Sequence, residues 1–149
     1  MHHADRNTKD GGSQENSITD FGVQEATVIG GMLKKVPVKT IYSGEYIRYK
    51  QTVELINKHI KAPVVVDNRL NEWSSKTESR KTLQKRTHAF LKEVIAKHND
   101  EDIIICMTSG VNLYYFITFF NKCKPIKGFI HAQARGVCPI FFVYKKEED

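Results

Sequence analysis

The side chains best suited to chemistry begin at the first positions of the chain. Met1-His2-His3-Ala4-Asp5-Arg6-Asn7 puts two imidazoles beside an acid and an arginine, and the polar run Lys9-Asp10-Gly11-Gly12 follows. Alone, such a pair suits a metal or a tag-like end, yet no Cys or Asp/Glu stands at a spacing that completes a metal site. Three later stretches widen the choice: Ser43-Gly44-Glu45-Tyr46-Ile47-Arg48-Tyr49-Lys50-Gln51-Thr52, Arg69-Leu70-Asn71-Glu72 and Met107-Thr108-Ser109-Gly110. Phosphoryl transfer through a histidine needs a neutral imidazole in line with phosphorus and cationic donors around the phosphoryl oxygens. It also needs an acid to protonate the leaving alkoxide. Imidazole, guanidinium and carboxyl groups all occur in these stretches.

Positioning such groups requires regular elements. Residues 1–18 read as a polar loop. Thr19 or Asp20 offers an N-cap for a helix through about Lys35, with Phe21, Val28, Met32 and Leu33 as its apolar face and Gly30-Gly31 weakening it or admitting a close neighbour. A strand over 38–42 ends at Ser43-Gly44, and a helix follows over 45–60 with Tyr49, Val53, Ile56 and Ile60 on one face. Val64-Val65-Val66 reads as a short strand buried on both faces. Residues 67–78 are irregular and polar, a helix spans 79–98 with Leu83, Thr87, Phe90 and Val94 facing inward, and 103–107 is the clearest buried strand. Ser109-Gly110 turns into a helix over 111–122 whose aromatic run, Tyr114 to Phe120, suits core packing. Strands are expected over 126–130 and 138–144, then a charged tail over 145–149. Strand–helix alternation argues for an α/β fold, a three-layer α/β/α sandwich with a mostly parallel central sheet. Ligands bind such sheets at the strand carboxyl ends, so Ser43 and Thr108 can line one pocket.

At 149 residues the chain fits a single domain over 1–149, with 40% hydrophobic and 27% charged residues. A formal net charge of +6 favours anionic ligands, but the cations are spread along helices and no nucleic-acid motif appears. Cys106, Cys123 and Cys138 are odd in number and lack a C-x-x-C pair, which suits reduced thiols in the cytoplasm. No apolar run approaches the roughly 18–20 residues of a membrane helix, and no signal-peptide core is present. His59, His88 and His98 make no metal spacing, and His131 stands near the last expected strands.

Taken in order, the motifs resemble the histidine phosphatase superfamily, the phosphoglycerate mutase-like branch 1. His3-Ala4 is similar to the R-H-G or R-H-A nucleophile motif, with Asp5-Arg6-Asn7 as its polar continuation. Ile18-Thr19-Asp20-Phe21-Gly22 with Gln24-Glu25-Ala26 resembles the L-T-x-x-G-x-x-Q-A helix start, one residue off the usual spacing. Ser43 through Thr52 resembles the S-x-x-x-R-x-x-Q-T stretch, and Leu70-Asn71-Glu72 the L-x-E stretch. The matches cover roughly residues 2–112. The resemblance implies a phosphohistidine on His3, Glu72 as general acid, and Arg48, Arg6, His2, Thr108 and Ser43 around the phosphoryl group. It implies no metal or organic cofactor, a phosphorylated small molecule or phosphoprotein as ligand, and neither nucleic acid nor membrane as partner.

Three departures matter. His2 stands where the family has arginine, and histidine is only partly charged near neutrality and lacks the bidentate fork. Thr108 falls where a second histidine is expected after the buried strand, and a hydroxyl carries no charge. The strand that normally precedes the R-H motif has no counterpart before His2, so the fold is expected with its first strand missing and His3 on a loose end. Three outcomes follow. One is an active phosphomonoesterase. Another is a pseudophosphatase that binds a phosphorylated ligand or a protein partner. The last is a truncated chain that does neither.

Overall fold

The structure, a computed structural model, describes residues 1–8 and 15–120. The strands expected over 126–130 and 138–144, Cys123, Cys138, His131 and the tail lie outside the described residues, as does the Lys9–Gly12 run. The elements are α1 (Asp20–Leu33), β1 (Val38–Ser43), α2 (Ile47–Ile60), β2 (Val64–Val66), a 3-10 turn (Asn68–Leu70), α3 (Arg80–Lys97), β3 (Ile103–Met107) and α4 (Gly110–Phe120). The strands form a parallel sheet in the order β2-β1-β3. No helix among the described residues is long and apolar enough to cross a membrane.

Alternation along β1 builds the layers. Ile41 points into a core with Tyr49, Val53 and Ile56 of α2, Ala26 of α1, and Ile105 and Met107 of β3. Tyr42 points the other way, into Leu70, Phe90, Leu91, Val94 and Phe116 of the 3-10 turn, α3 and α4. Successive strand residues face opposite sides, so two helix pairs sandwich the sheet. That is the expected α/β/α arrangement.

Two expectations on faces are corrected. Of the four large apolar residues expected on the inner face of α1, Leu33 packs against the core, but Phe21, Val28 and Met32 are exposed, while Gly22, Ala26 and Gly30 are buried. The helix packs by close approach, with Gly30 lying against the Ile56 backbone and the His59 ring. A reading that weighs only large side chains misses a face made of small ones. β2 is not buried on both faces; Val64, Val65 and Val66 are 43%, 44% and 52% exposed, and β2 is an outer strand among the described ones.

The start of the chain is also tied down. Met1 N donates to Cys106 O at 2.6 Å, Thr108 N to Met1 O at 2.9 Å, and His3 N to Thr108 O at 3.3 Å. His2 and Thr108 form a parallel bridge, so residues 1–3 line the carboxyl end of β3 on the side away from β1. His3 therefore stands on the sheet and not on a loose end.

Gly22 is fixed by the same region. A Cβ there would come within 2.3 Å of the Asp5 carbonyl oxygen, a backbone atom that cannot swing aside, whereas a Cβ on Gly31 would meet nothing within 4 Å. Gly22→Ala is expected to destabilise the fold by about 3 kcal/mol. Gly31→Ala should stabilise it by ~0.8 kcal/mol through helix propensity. Urea unfolding of the pair measures both, and equal effects would contradict this packing.

Candidate active site

His3 is built in from three sides. It is 3% exposed, its Nδ1 lies 2.7 Å from the Ala4 carbonyl oxygen, and its ring centroid is 4.1 Å from that of His2. A carbonyl only accepts, so Nδ1 carries the proton and the Nε2 lone pair is left for other work. Burial, then the neighbouring His2, pushes His3 down to about 2, with the Arg48 and Arg6 charges adding to the fall. The imidazole is neutral at any ordinary pH, and two guanidinium charges stand close enough to be felt by it.

The Gln51-Thr52 pair of α2 acts here as a splint. The Thr52 hydroxyl accepts from Ala4 N at 3.1 Å and donates to Arg48 O at 2.6 Å, while Gln51 Oε1 accepts from Ile18 N at 2.9 Å. One helical turn thus fixes both ends of the loop that follows His3. The capping residue of α1 joins in. The Thr19 hydroxyl accepts from Gly22 N at 3.1 Å and donates to Asp5 Oδ2 at 2.8 Å.

Arg48 is wholly buried at the start of α2. Its Nη2 donates to Glu72 Oε2 at 2.6 Å, and its guanidinium carbon lies 4.7 Å and 4.8 Å from the Tyr46 and Tyr49 ring centroids. Arg6 Nη2 is 3.6 Å from the same carboxylate oxygen, and its Nη1 is buried with no hydrogen-bond partner among the described residues. Two guanidiniums converge on one carboxylate beside a neutral imidazole. A dianion placed there would meet donors already fixed in position, which is the arrangement that stabilises transferring phosphoryl groups.

Glu72 sits in an irregular stretch, yet its carrier is clamped. Arg86 of α3 donates to the carbonyls of Arg69 and Asn71 and pairs with Glu78 at 2.5 Å. Asn112 of α4 donates to the Asn71 carbonyl at 3.1 Å, and the Asn71 side chain accepts from Glu45 N at 2.9 Å. The carboxylate is exposed by 29%, open enough to exchange a proton with solvent or ligand.

The structure brings together His3, His2, Arg6, Arg48 and Glu72. Thr108 reaches the same strand end, but its hydroxyl donates to the Leu70 carbonyl at 2.6 Å and is committed there. Its neighbour Ser109, also fully buried, donates to Asn112 Oδ1 at 3.0 Å. The Ser43 hydroxyl donates to the Gly44 carbonyl at 2.9 Å, and the residue lines an open groove of about 430 Å³ with Lys50, Val53, Asn57 and Val66. Sequence reasoning passed over Ser109, Arg86 and Asn112. The Ser109-Gly110 turn was the available signal for the first, while nothing local marks the other two.

A family model described as "Histidine phosphatase superfamily (branch 1)" matches residues 3–77. Among solved structures, a putative alpha-ribazole-5'-P phosphatase from Escherichia coli superposes with a TM-score of 0.74 at 16% identity, covering 88% of this chain and 82% of that one. A phosphoserine phosphatase from Entamoeba histolytica, in complex with 3-phosphoglyceric acid, gives 0.71 at 16%, covering 87% and 81%. A mycobacterial glucosyl-3-phosphoglycerate phosphatase complexed with VO3 gives 0.70 at 15%, covering 87% and 82%. At these identities the likeness is one of fold. No curated protein sequence matches the chain significantly.

The buried neutral imidazole makes stability depend on pH. His3 has a folded value below its unfolded one, so its contribution is complete above about pH 6.5 and is lost as pH falls, because the unfolded chain takes up a proton the folded chain refuses. Between pH 6 and 4 the loss from this group should approach ~1.4 kcal/mol per pH unit. His3→Asn should flatten that slope in denaturant titrations at each pH. Parallel curves for the two proteins would contradict the assignment.

Proposed function

The chain belongs to the histidine phosphatase superfamily, branch 1, and from that premise we propose that it handles phosphate monoesters through His3. The observation that carries the reading is one cluster: a buried imidazole locked as the Nδ1–H tautomer, with Arg48 and Arg6 converging beside it on Glu72. In the proposed reaction the His3 Nε2 lone pair attacks phosphorus in line while the bond to the leaving oxygen breaks. Arg48 and Arg6 hold the non-bridging oxygens. The incoming dianion competes with Glu72 for both arginines, and the displaced carboxyl, taking up a proton, delivers it to the leaving alkoxide. Water then attacks the phosphohistidine, the Glu72 carboxylate accepts a proton from it, the P–N bond breaks, and orthophosphate leaves. The scheme asks nothing of a metal or organic cofactor.

The ligand class proposed is a phosphorylated small molecule or a phosphoprotein, with the cytoplasm as its compartment. Similar folds carry phosphatases named for small phosphorylated compounds, which supports the first of the two ligands.

A second reading, binding without turnover, draws on the carboxyl end of β3. Thr108 spends its hydroxyl on Leu70, Ser109 is neutral, and His2 Nδ1 lies 2.8 Å from the His3 carbonyl oxygen, so neither flank of His3 supplies an arginine fork. Losing a preorganised donor of that kind costs on the order of 10²–10³ in rate.

Hydrolysis of aryl and alkyl phosphates with chelator present separates the two. Turnover that vanishes in His3→Ala and falls about 10²-fold or more in Arg48→Ala supports catalysis. Glu72→Gln should slow alkyl phosphates far more than aryl phosphates, whose leaving groups need no proton. Hydrolysis that survives His3→Ala would sink the proposed route. Folded protein that binds orthophosphate but turns nothing over would favour the second reading.

A further inference from the structure

The first turn of α2 buries two polar side chains in succession, and they are treated differently. Arg48 has Glu72. Tyr49, also 0% exposed, has a hydroxyl with no hydrogen-bond partner among the described residues. Sequence spacing puts Tyr49 on the apolar face of the helix with Val53 and Ile56, and for packing alone phenylalanine would serve better. Burying a hydroxyl without a partner is destabilising.

The phenol stands inside the candidate site. Its ring centroid lies 5.4 Å from that of His3, inclined at 49°, and the Arg48 guanidinium carbon is 4.8 Å from its centre. Tyr46 stacks on it at 5.5 Å. Burial raises the pKa of the phenol despite the nearby Arg48 guanidinium and Ser109 hydroxyl, which approach the phenol oxygen without completing a hydrogen bond, so it keeps its proton throughout the working range. The chain also makes room for it. A Cβ on Gly44 would come within 2.5 Å and 2.6 Å of the Tyr49 ring edge, so the glycine allows the ring to lie against the β1–α2 turn.

Resting on the reading of His3, Arg6 and Arg48 as a phosphoryl site, we propose that the Tyr49 hydroxyl donates a hydrogen bond to a phosphoryl oxygen at His3. This donor serves the flank where Thr108 is committed elsewhere and Ser109 bonds to Asn112. It is neutral, so it adds direction without charge. Negative charge gathers on the non-bridging oxygens as phosphoryl transfer proceeds, which strengthens such a bond in the transition state.

The test uses Tyr49→Phe, which removes the hydroxyl and keeps the ring. Orthovanadate and inorganic phosphate serve as probes, bound in calorimetry to the full chain, with aryl phosphate turnover measured where present. Vanadate affinity should fall about tenfold or more, the loss of a good hydrogen bond to a charged acceptor. The effect should fall on kcat more than on KM, since the bond tightens in the transition state. The ligand-free variant should melt ~2–4 °C higher, because an unpartnered buried hydroxyl has gone. A hydroxyl with a purely structural role would give the opposite, a lower melting temperature. Gly44→Ala, which keeps the hydroxyl but pushes the ring aside, should weaken vanadate as well. If Arg48→Ala weakens vanadate and Tyr49→Phe leaves it unchanged, the role of Tyr49 is overturned while the phosphoryl site stands. If the unmodified protein binds neither probe, both fall together.

Discussion

The fold is arranged around a charge with no access to water. The Arg48 guanidinium is completely buried, and taking such an ion out of solvent costs several kcal/mol unless it is paired and hydrogen-bonded. Its compensation comes from Glu72, 24 residues further on, together with the faces of Tyr46 and Tyr49. Glu72 cannot drift, because α3 reaches over with Arg86 and α4 with Asn112 to hold the carbonyls just before it. Helices from both sides of the sheet therefore meet at one ion pair. The Arg48 guanidinium is thus kept dry against a carboxylate that is itself 29% exposed.

The parallel sheet makes that convergence possible. β1, β2 and β3 all run toward the same edge, so the turn after Ser43, the stretch after Val66 and the Thr108–Gly110 turn gather there. Met1–His3 join the same edge beside β3 and set the imidazole among them. Gly22 and Gly44 each admit a close neighbour, the Asp5 backbone and the Tyr49 ring. Both contacts serve the neighbourhood of His3.

Much of this was legible in the residues. The spacing of Arg48 from Gln51-Thr52 carries a physical meaning that survives: the arginine meets Glu72 while Gln51 and Thr52, one turn on, splint the His3 loop. Alternating elements gave the sandwich, since periodicity reports which face is buried. What failed to show has physical causes. α1 makes its closest approach with small residues, Gly22, Ala26 and Gly30, and hydrophobicity counts large ones. β2 reads as an interior strand by composition, whereas its exposure depends on its place in the sheet. The position of Thr108 after β3 is legible, but a hydroxyl's direction is set by which carbonyl it meets, here Leu70, and no local pattern encodes that. Arg86 and Asn112 act from distant helices, and Tyr49 reads as core until its stranded hydroxyl is seen.

The proposed reaction stands on transfer of the phosphoryl group to His3. Rapid acid or alkaline quenching during reaction with an aryl phosphate, followed by mass spectrometry of the peptides, tests it at the atom concerned. One added phosphoryl group is expected on His3, stable to alkali and lost in acid, as a phosphoramidate is. Steady turnover with no such adduct at His3, or with the group found on another side chain, would contradict it.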